Sequence, residues 1–161
     1  MKETNYLEGK EGYLEKLKTI PGLAALKDKN LLKMIALSKL RRYAPGEKVI
    51  EEGVFDSWIF FLLSGSVRVI KEGQELARMK CYGDLFGEMG LVDGLHRSAS
   101  VIAETETLCL AMDGSFLERI EPSERNDFNA VLYRFLTMVL TERLRSMDEE
   151  IAALKAELAQ N

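Results

Sequence analysis

The chain has 161 residues, with 22 Lys and Arg against 26 Asp and Glu, for a formal net charge of −4. That length suits one domain with a real core and an appendage, and the acidic balance argues against a dedicated nucleic-acid binder. The charged start MKETNYLEGKEGYLEKLK lacks an apolar stretch, and the longest central apolar run, WIFFLL, is far too short to cross a bilayer, so neither a signal peptide nor a membrane span is expected. Cys81 and Cys109 belong to no spaced cluster. They read as ordinary thiols of a reducing cytoplasm rather than as a disulfide.

Residues 1–40 read as an N-terminal helical segment, with helices within 12–40. YLEKLKTI stops at Pro21-Gly22, and LKDKNLLKMIALSKL follows with apolar residues at helical spacing and Asp28 as its cap. Eight of the twelve glycines fall between Gly46 and Gly94. Turn signals recur there at Pro45-Gly46, Glu52-Gly53, Ser64-Gly65, Glu72-Gly73 and Gly83-Asp84, separating KVIEE, WIFFLL, SVRVI, SVIA and LCLAM, runs rich in β-branched and aromatic residues. Leu108, Leu110 and Met112 alternate onto one face. The expectation is an α+β fold whose residues 41–114 form an antiparallel β-roll or jelly-roll barrel.

Residues 115–161 read as helical again. SFLERI is short and ends before Pro122, and from about Asp127 onward there is no Gly or Pro. Leu140, Leu144, Met147, Ile151, Leu154 and Leu158 are spaced 4, 3, 4, 3, 4, a heptad seam that predicts a coiled-coil homodimer over 140–158. Leu136 lies four residues before Leu140, and this 4-4 step turns the apolar stripe. One helix then has two jobs: its first half covers the β-domain, and its second half, if it does not simply fray, pairs with another chain. Tyr133, Phe135 and Leu136 read as contacts with the roll.

Candidate chemistry gathers in FGEMGLVDGLHRSAS, residues 86–100. An Arg guanidinium is a planar fork of donors matched to a phosphate, and a Ser hydroxyl adds a neutral donor. A helical turn after Gly87 would aim free N–H groups at the same anion, and Gly87 would let the backbone come close to it. Glu88 would repel a phosphate, so it should accept a hydrogen bond instead, as from a ribose hydroxyl. Leu91, Val92 and Leu95 would pin the segment to the roll. The inferred ligand is compact: one phosphate, one sugar hydroxyl, and room for a base.

This stretch resembles the phosphate-binding cassette of the cyclic nucleotide-binding domain family. The likeness extends to IPGLAAL, YAPGEKVIEEG, FFLLSGSVRVI and GDLFGE, in the family's order, and covers about residues 20–145. It implies that Glu88 takes the ribose 2′-hydroxyl. Gly87, Met89 and neighbouring backbone amides, with Arg97 and Ser98, hold the cyclic phosphate, followed by the backbone of Ala99. Val69 packs near the base. TERLR resembles the helix of the catabolite-activator group, which would bring Arg143 to Glu88 and Met147 and Asp148 near the base. Lys80 departs from the pattern, standing where many members have an apolar residue.

The implied function is a regulatory module that senses cAMP, or cGMP, does no catalysis, and passes the signal through its C-terminal helix and dimer to an unknown protein effector. The lean is towards cAMP. No metal, DNA or membrane partner is expected: the one histidine, His96, reads as a loop residue rather than a haem or metal ligand, and no helix-turn-helix follows the long helix. The alternative is a vestigial domain acting as a dimerisation scaffold, with Arg97 and Glu88 merely pairing with each other.

Overall fold

The computed structural model describes residues 1–5, 11–20, 23–115 and 121–159. Two antiparallel sheets form the roll. The five-stranded sheet runs in the order β1 (Lys2–Glu3), β2 (Ser38–Tyr43), β9 (Thr107–Asp113), β4 (Trp58–Ser64), β7 (Leu85–Phe86). The four-stranded sheet runs β3 (Lys48–Ile50), β8 (Ser100–Ala103), β5 (Val67–Lys71), β6 (Gln74–Met79). Helices α1 (Leu14–Lys18), α2 (Asp28–Ala36) and α4 (Pro122–Ala159) flank the roll, while α3 (Glu88–Asp93) is a short turn of helix between β7 and β8.

The unbroken apolar run of β4 is explained by burial on both faces. Ile59 and Phe61 join a cluster shared with the helices, while Phe60 and Leu62 face the interior of the roll. Its neighbour β9 divides the same way: Leu110 and Met112 point to the helices, Cys109 and Ala111 inward. β4 and β9 are thus the wall between two cores. Phe128, Leu132, Phe135 and Leu136 of α4 repeat at helical spacing onto the outer face of this wall, with the Phe135 ring 6.0 Å from that of Phe61. Tyr133, expected with them, is instead exposed because it lies on the opposite side of the helix.

The turns follow the glycine pattern. At Gly65, φ is +88° and a Cβ would sit 2.4 Å from the Glu106 carbonyl oxygen, so both conformation and space demand glycine.

Two expectations need correction. Segment 1–40 is not wholly helical, because Lys2–Glu3 pairs with Arg41 and Arg42 of β2, and β2 already begins at Ser38. Asp28 is the first residue of α2 rather than its cap. Lys27, with extended backbone, stands at the cap, and its carbonyl accepts from Asn30 and Leu31. The Asp28 carboxylate instead pairs with Lys18 at 3.0 Å. Helix α4 starts at Pro122, a residue suited to the first helical position. The reading of SFLERI falls mainly on residues 116–120, outside the described residues.

Candidate ligand-binding site

The end of β7 turns sharply into α3. Gly87 makes the turn with φ +82°, and a Cβ there would lie 2.9 Å from Arg97 Nη1, 2.9 Å from the Trp58 carbonyl oxygen and 3.0 Å from Ile50. Only glycine lets the cassette close this tightly on the roll. Gly94, also in the left-handed region, ends α3 and returns the chain to β8.

Val69, Gly87, Glu88, Met89, Arg97, Ser98, Ala99 and Arg143 all line one cavity of about 90 Å³. Ile50, Met79, Phe86 and Val101 give it an apolar floor, a contribution that no sequence signal distinguishes from ordinary core. Two charged side chains are sunk beside it: Glu88 is 2% and Arg97 5% exposed. A buried charge needs a partner, and each has its own.

Arg97 points inward. Its Nε donates to Asp56 Oδ2 at 3.1 Å and its Nη1 to the Gly87 carbonyl at 2.5 Å, while Nη2 donates to both Asp56 Oδ1 and the Trp58 carbonyl. Four of the five N–H groups of the fork are therefore engaged within the protein, leaving one on Nη1. The fork is turned into the protein, with that one N–H left over. Asp56 was missed because a lone Asp in a loop before β4 carries no pattern. Backbone bonds lock the same loop to the cassette: Gly53 N–H to the Arg97 carbonyl and Arg97 N–H to the Val54 carbonyl, both 2.9 Å.

Glu88 accepts a charge-assisted bond from Arg143 Nη1 through Oε1. No other side chain among the described residues bonds it, and the residue lines the cavity. Arg143 reaches Glu88 from α4, across 55 residues of sequence, and closes the cavity from the helix side. It also lines a larger chamber of about 530 Å³ between α4 and the β6–β7 loop, with Cys81, Tyr82, Leu85, Phe135 and Met138.

The remaining residues singled out in the sequence lie as follows. Arg97 and Glu88 do not pair with each other. Leu91 packs against the helix-side core, but Val92 and Leu95 are exposed. Met147 and Asp148 do not line the cavity, since α4 carries them beyond the roll. Ser98 is exposed, its Oγ 3.9 Å from Met89 Sδ. His96 is exposed and stands edge-on to Phe55, at 6.0 Å between ring centres.

Comparison with known proteins bears on the same cassette. The model of the cyclic nucleotide-binding domain matches residues 40–121, just over half of the chain and including every part of the cavity except Arg143. The chain belongs to the cyclic nucleotide-binding domain family. Among curated members it is 32% identical over 139 residues to the cyclic AMP receptor protein of Thermus thermophilus, covering 79% of this chain and 59% of that one. It is 35% identical over 98 residues to a cAMP-dependent protein kinase regulatory subunit of Aspergillus fumigatus, covering 60% and 23%. The chain spans less than two thirds of the length of these curated relatives. Among solved structures, a cyclic nucleotide-binding domain of Methylobacillus flagellatus superposes with a TM-score of 0.75 at 23% identity, covering 91% of this chain and 86% of that one, which speaks to the fold alone. The catabolite activator protein of Thermus thermophilus superposes at 0.66 with 28% identity, covering 84% and 63%.

Among the described residues no cluster of His, Cys, Asp or Glu is placed to hold a metal ion, and no helix is long and apolar enough to cross a membrane. Cys81 and Cys109 are free thiols, the first exposed and the second buried.

Proposed function

We propose that the chain is a non-catalytic sensor of a cyclic nucleotide, cAMP in preference to cGMP, acting in a reducing cytoplasm. The observation that carries this is the convergence of a buried carboxylate, Glu88, and a buried guanidinium, Arg97, on one cavity within the family's cassette. Glu88 Oε2 suits the ribose 2′-hydroxyl. Arg97, through its remaining Nη1 donor and by loosening the Trp58 carbonyl, takes the cyclic phosphate together with Ser98 and the α3 backbone at Gly87–Met89. Ala99 flanks the phosphate and Val69 the base.

The cavity of about 90 Å³ falls short of the ~300–1,000 Å³ usual for a small-molecule site. Binding therefore requires α4 to swing away from the cassette, and the chamber behind Arg143 gives it room. The swing redirects the exposed half of α4, the proposed dimer seam, and so conveys occupancy to a protein effector. Affinity for nucleotide and for the twin helix must then be linked by one factor.

Calorimetry with cAMP and cGMP tests the reading. A charge-assisted fork contributes about 1.5–3 kcal/mol, so Arg97→Ala is expected to weaken binding roughly tenfold to over a hundredfold. A 2′-deoxy analogue binds clearly worse than the ribose form, because it strands Glu88 without its donor. A second reading, a scaffold domain that binds no nucleotide, draws on the four engaged N–H groups of Arg97. Absence of heat and of thermal shift with both nucleotides selects it.

A further inference from the structure

Between α1 and the five-stranded sheet lies an apolar chamber of about 460 Å³, against about 90 Å³ for the cassette cavity. Its size falls within the ~300–1,000 Å³ usual for a small-molecule site. The floor is made by Leu40 of β2, Leu63 of β4, and Leu108 and Leu110 of β9. Leu40 and Leu110 are cross-strand partners, and Leu108 follows Leu110 onto the same face at a period of two. β4 shifts register between Leu62 and Ser64, so Leu63 has no partner on β9.

The chamber exists because its cover is short. Helix α1 has five residues, little more than one turn. Tyr13 and Leu17, four apart, share one side of that turn, and both line the chamber. No described residue of α4 reaches it. Tyr82 closes another side, its hydroxyl donating to the Lys16 carbonyl at 2.9 Å. Leucine walls offer water few hydrogen bonds, so a space of this kind suits an apolar occupant.

Lys16 is the one charged residue among the described residues that line the chamber. Its neighbour Lys18 is shared between Glu15 and Asp28, at 3.0 Å each. Lys16 has no carboxylate partner among the described residues, and its Nζ stands 5.6 Å from the centre of the Tyr13 ring, beside the chamber. An apolar interior with a single cation at its edge matches an amphiphilic anion.

We propose that this chamber is a second ligand site, taking a monocarboxylate with a linear apolar body: the tail lies among the leucines and the carboxylate meets Lys16. At about 30 Å³ per heavy atom, the share of one water in the liquid, the chamber holds about 15 heavy atoms, a chain of about a dozen carbons. The site is separate from the cassette and does not depend on the reading of the cassette as a nucleotide site. Tyr82 belongs also to the chamber behind Arg143, so the two ends of the molecule share a wall.

Calorimetry of the full chain with straight-chain carboxylates from hexanoate to hexadecanoate, below their micelle concentrations, tests the proposal. Each added methylene is expected to raise affinity about fourfold until the chamber is full, and the rise to stop near about twelve carbons. Leu108→Ala enlarges the floor and moves that limit about three carbons further, while Leu108→Trp fills the chamber and abolishes uptake. Lys16 is exposed, so its ion pair is worth only about two- to fivefold: decanoate binds that much more tightly than decan-1-ol, and Lys16→Gln removes the difference without changing the alcohol. Circular dichroism confirms that each variant folds; should Leu108→Trp fail to fold, the length limit in Leu108→Ala decides. No uptake at any length, a rise without a limit, a limit unmoved by Leu108→Ala, or a preference for decanoate that survives Lys16→Gln overturns the proposal. So does displacement of decanoate by cAMP, which would seat the chain in the cassette. If decanoate binds and cAMP does not, this site stands and the nucleotide reading falls; if cAMP binds and no carboxylate does, the reverse holds.

Discussion

From Phe128 to Val139, α4 lays Phe128, Leu132, Phe135 and Leu136 on the wall made by β4 and β9, whereas from Leu144 to Ala159 every residue faces solvent. Both halves lack glycine and proline after Pro122, so intrinsic helix preference does not separate them. What separates them is the neighbour. The first half draws its stability from apolar contacts with the roll, and the second has to find an equivalent surface elsewhere. Arg143 stands at the boundary, one arm's length from the cassette and one position before the exposed stripe. A change that loosens the first half reaches the cavity directly, and a change in the second half reaches it only through Arg143.

The comparison breaks most severely at Phe135. Its ring is 2% exposed, stacked near Phe61 and inside the helix-side core. Phe135→Ala removes that burial and leaves a cavity, at an expected cost of about 3–5 kcal/mol by urea denaturation. A loss below about 1 kcal/mol would mean that α4 is not seated on the roll.

Asp56 tests the opposite wall of the cavity. Its carboxylate, 32% exposed, is the main counter-charge of Arg97, whose side chain is 3% exposed. Asp56→Ala leaves a buried guanidinium with only carbonyl partners. Breaking such a pair costs about 3–5 kcal/mol when both members are buried, and the partial exposure of Asp56 lowers the expectation to about 2–4 kcal/mol. Asp56→Asn, which keeps the shape and an acceptor, recovers part of that. Equal stability of wild type and Asp56→Ala would show that Arg97 does not depend on it.

How far the residues announced this arrangement depends on how local each signal is. The β-roll was legible because the glycines mark its turns and β4, β5, β8 and β9 are rich in Ile, Val, Leu and Phe. β2 was not, since ALSKLRRY continues the apolar spacing of α2 and no glycine or proline separates them. Instead, the Ser38 hydroxyl donates to the Met34 carbonyl at 2.6 Å where helix gives way to strand, and the Arg41 guanidinium carbon sits over the Trp58 ring, 3.8 Å from its centre. β6, QELARM, is a largely exposed edge strand with no β-branched residue, so it lacks both the composition and the alternation of a strand. At the site, the cassette residues could be named because they are adjacent in sequence. Asp56 and the floor residues could not, because only the closed roll brings them to Arg97 and Glu88. Arg143 was found through resemblance of its helix, not through spacing.

Alkali acts on the roll. Burial pushes the Cys109 thiol up to about 12 and the Tyr43 phenol up to about 12, from ordinary values of 9.0 and 10.0. Both groups are neutral when protonated, and the folded state disfavours their anions. Their contribution is therefore complete below pH about 9 and is lost as pH rises towards about 12. The urea midpoint is expected to hold steady to about pH 9 and fall above it, with a shallower fall in Cys109→Ala. A midpoint independent of pH between about 9 and 11 would contradict the burial of both groups.

The smallest effect belongs to Leu154, the counterpart of Phe135 on the exposed half. Leu154 is 52% exposed and touches neither core. Alanine is an equally good or better helix former, so Leu154→Ala removes almost nothing from an isolated chain. At concentrations where the protein is monomeric, the change in folding free energy is expected to stay within about 0.5 kcal/mol. At concentrations where it is dimeric, the same substitution deletes a d-position side chain from each of two helices, and the loss grows with protein concentration because association and folding are linked. Urea denaturation at two widely separated concentrations separates the cases. A penalty above about 1 kcal/mol in the monomer would place Leu154 against the chain's own roll, and the contrast between the two halves of α4 would disappear.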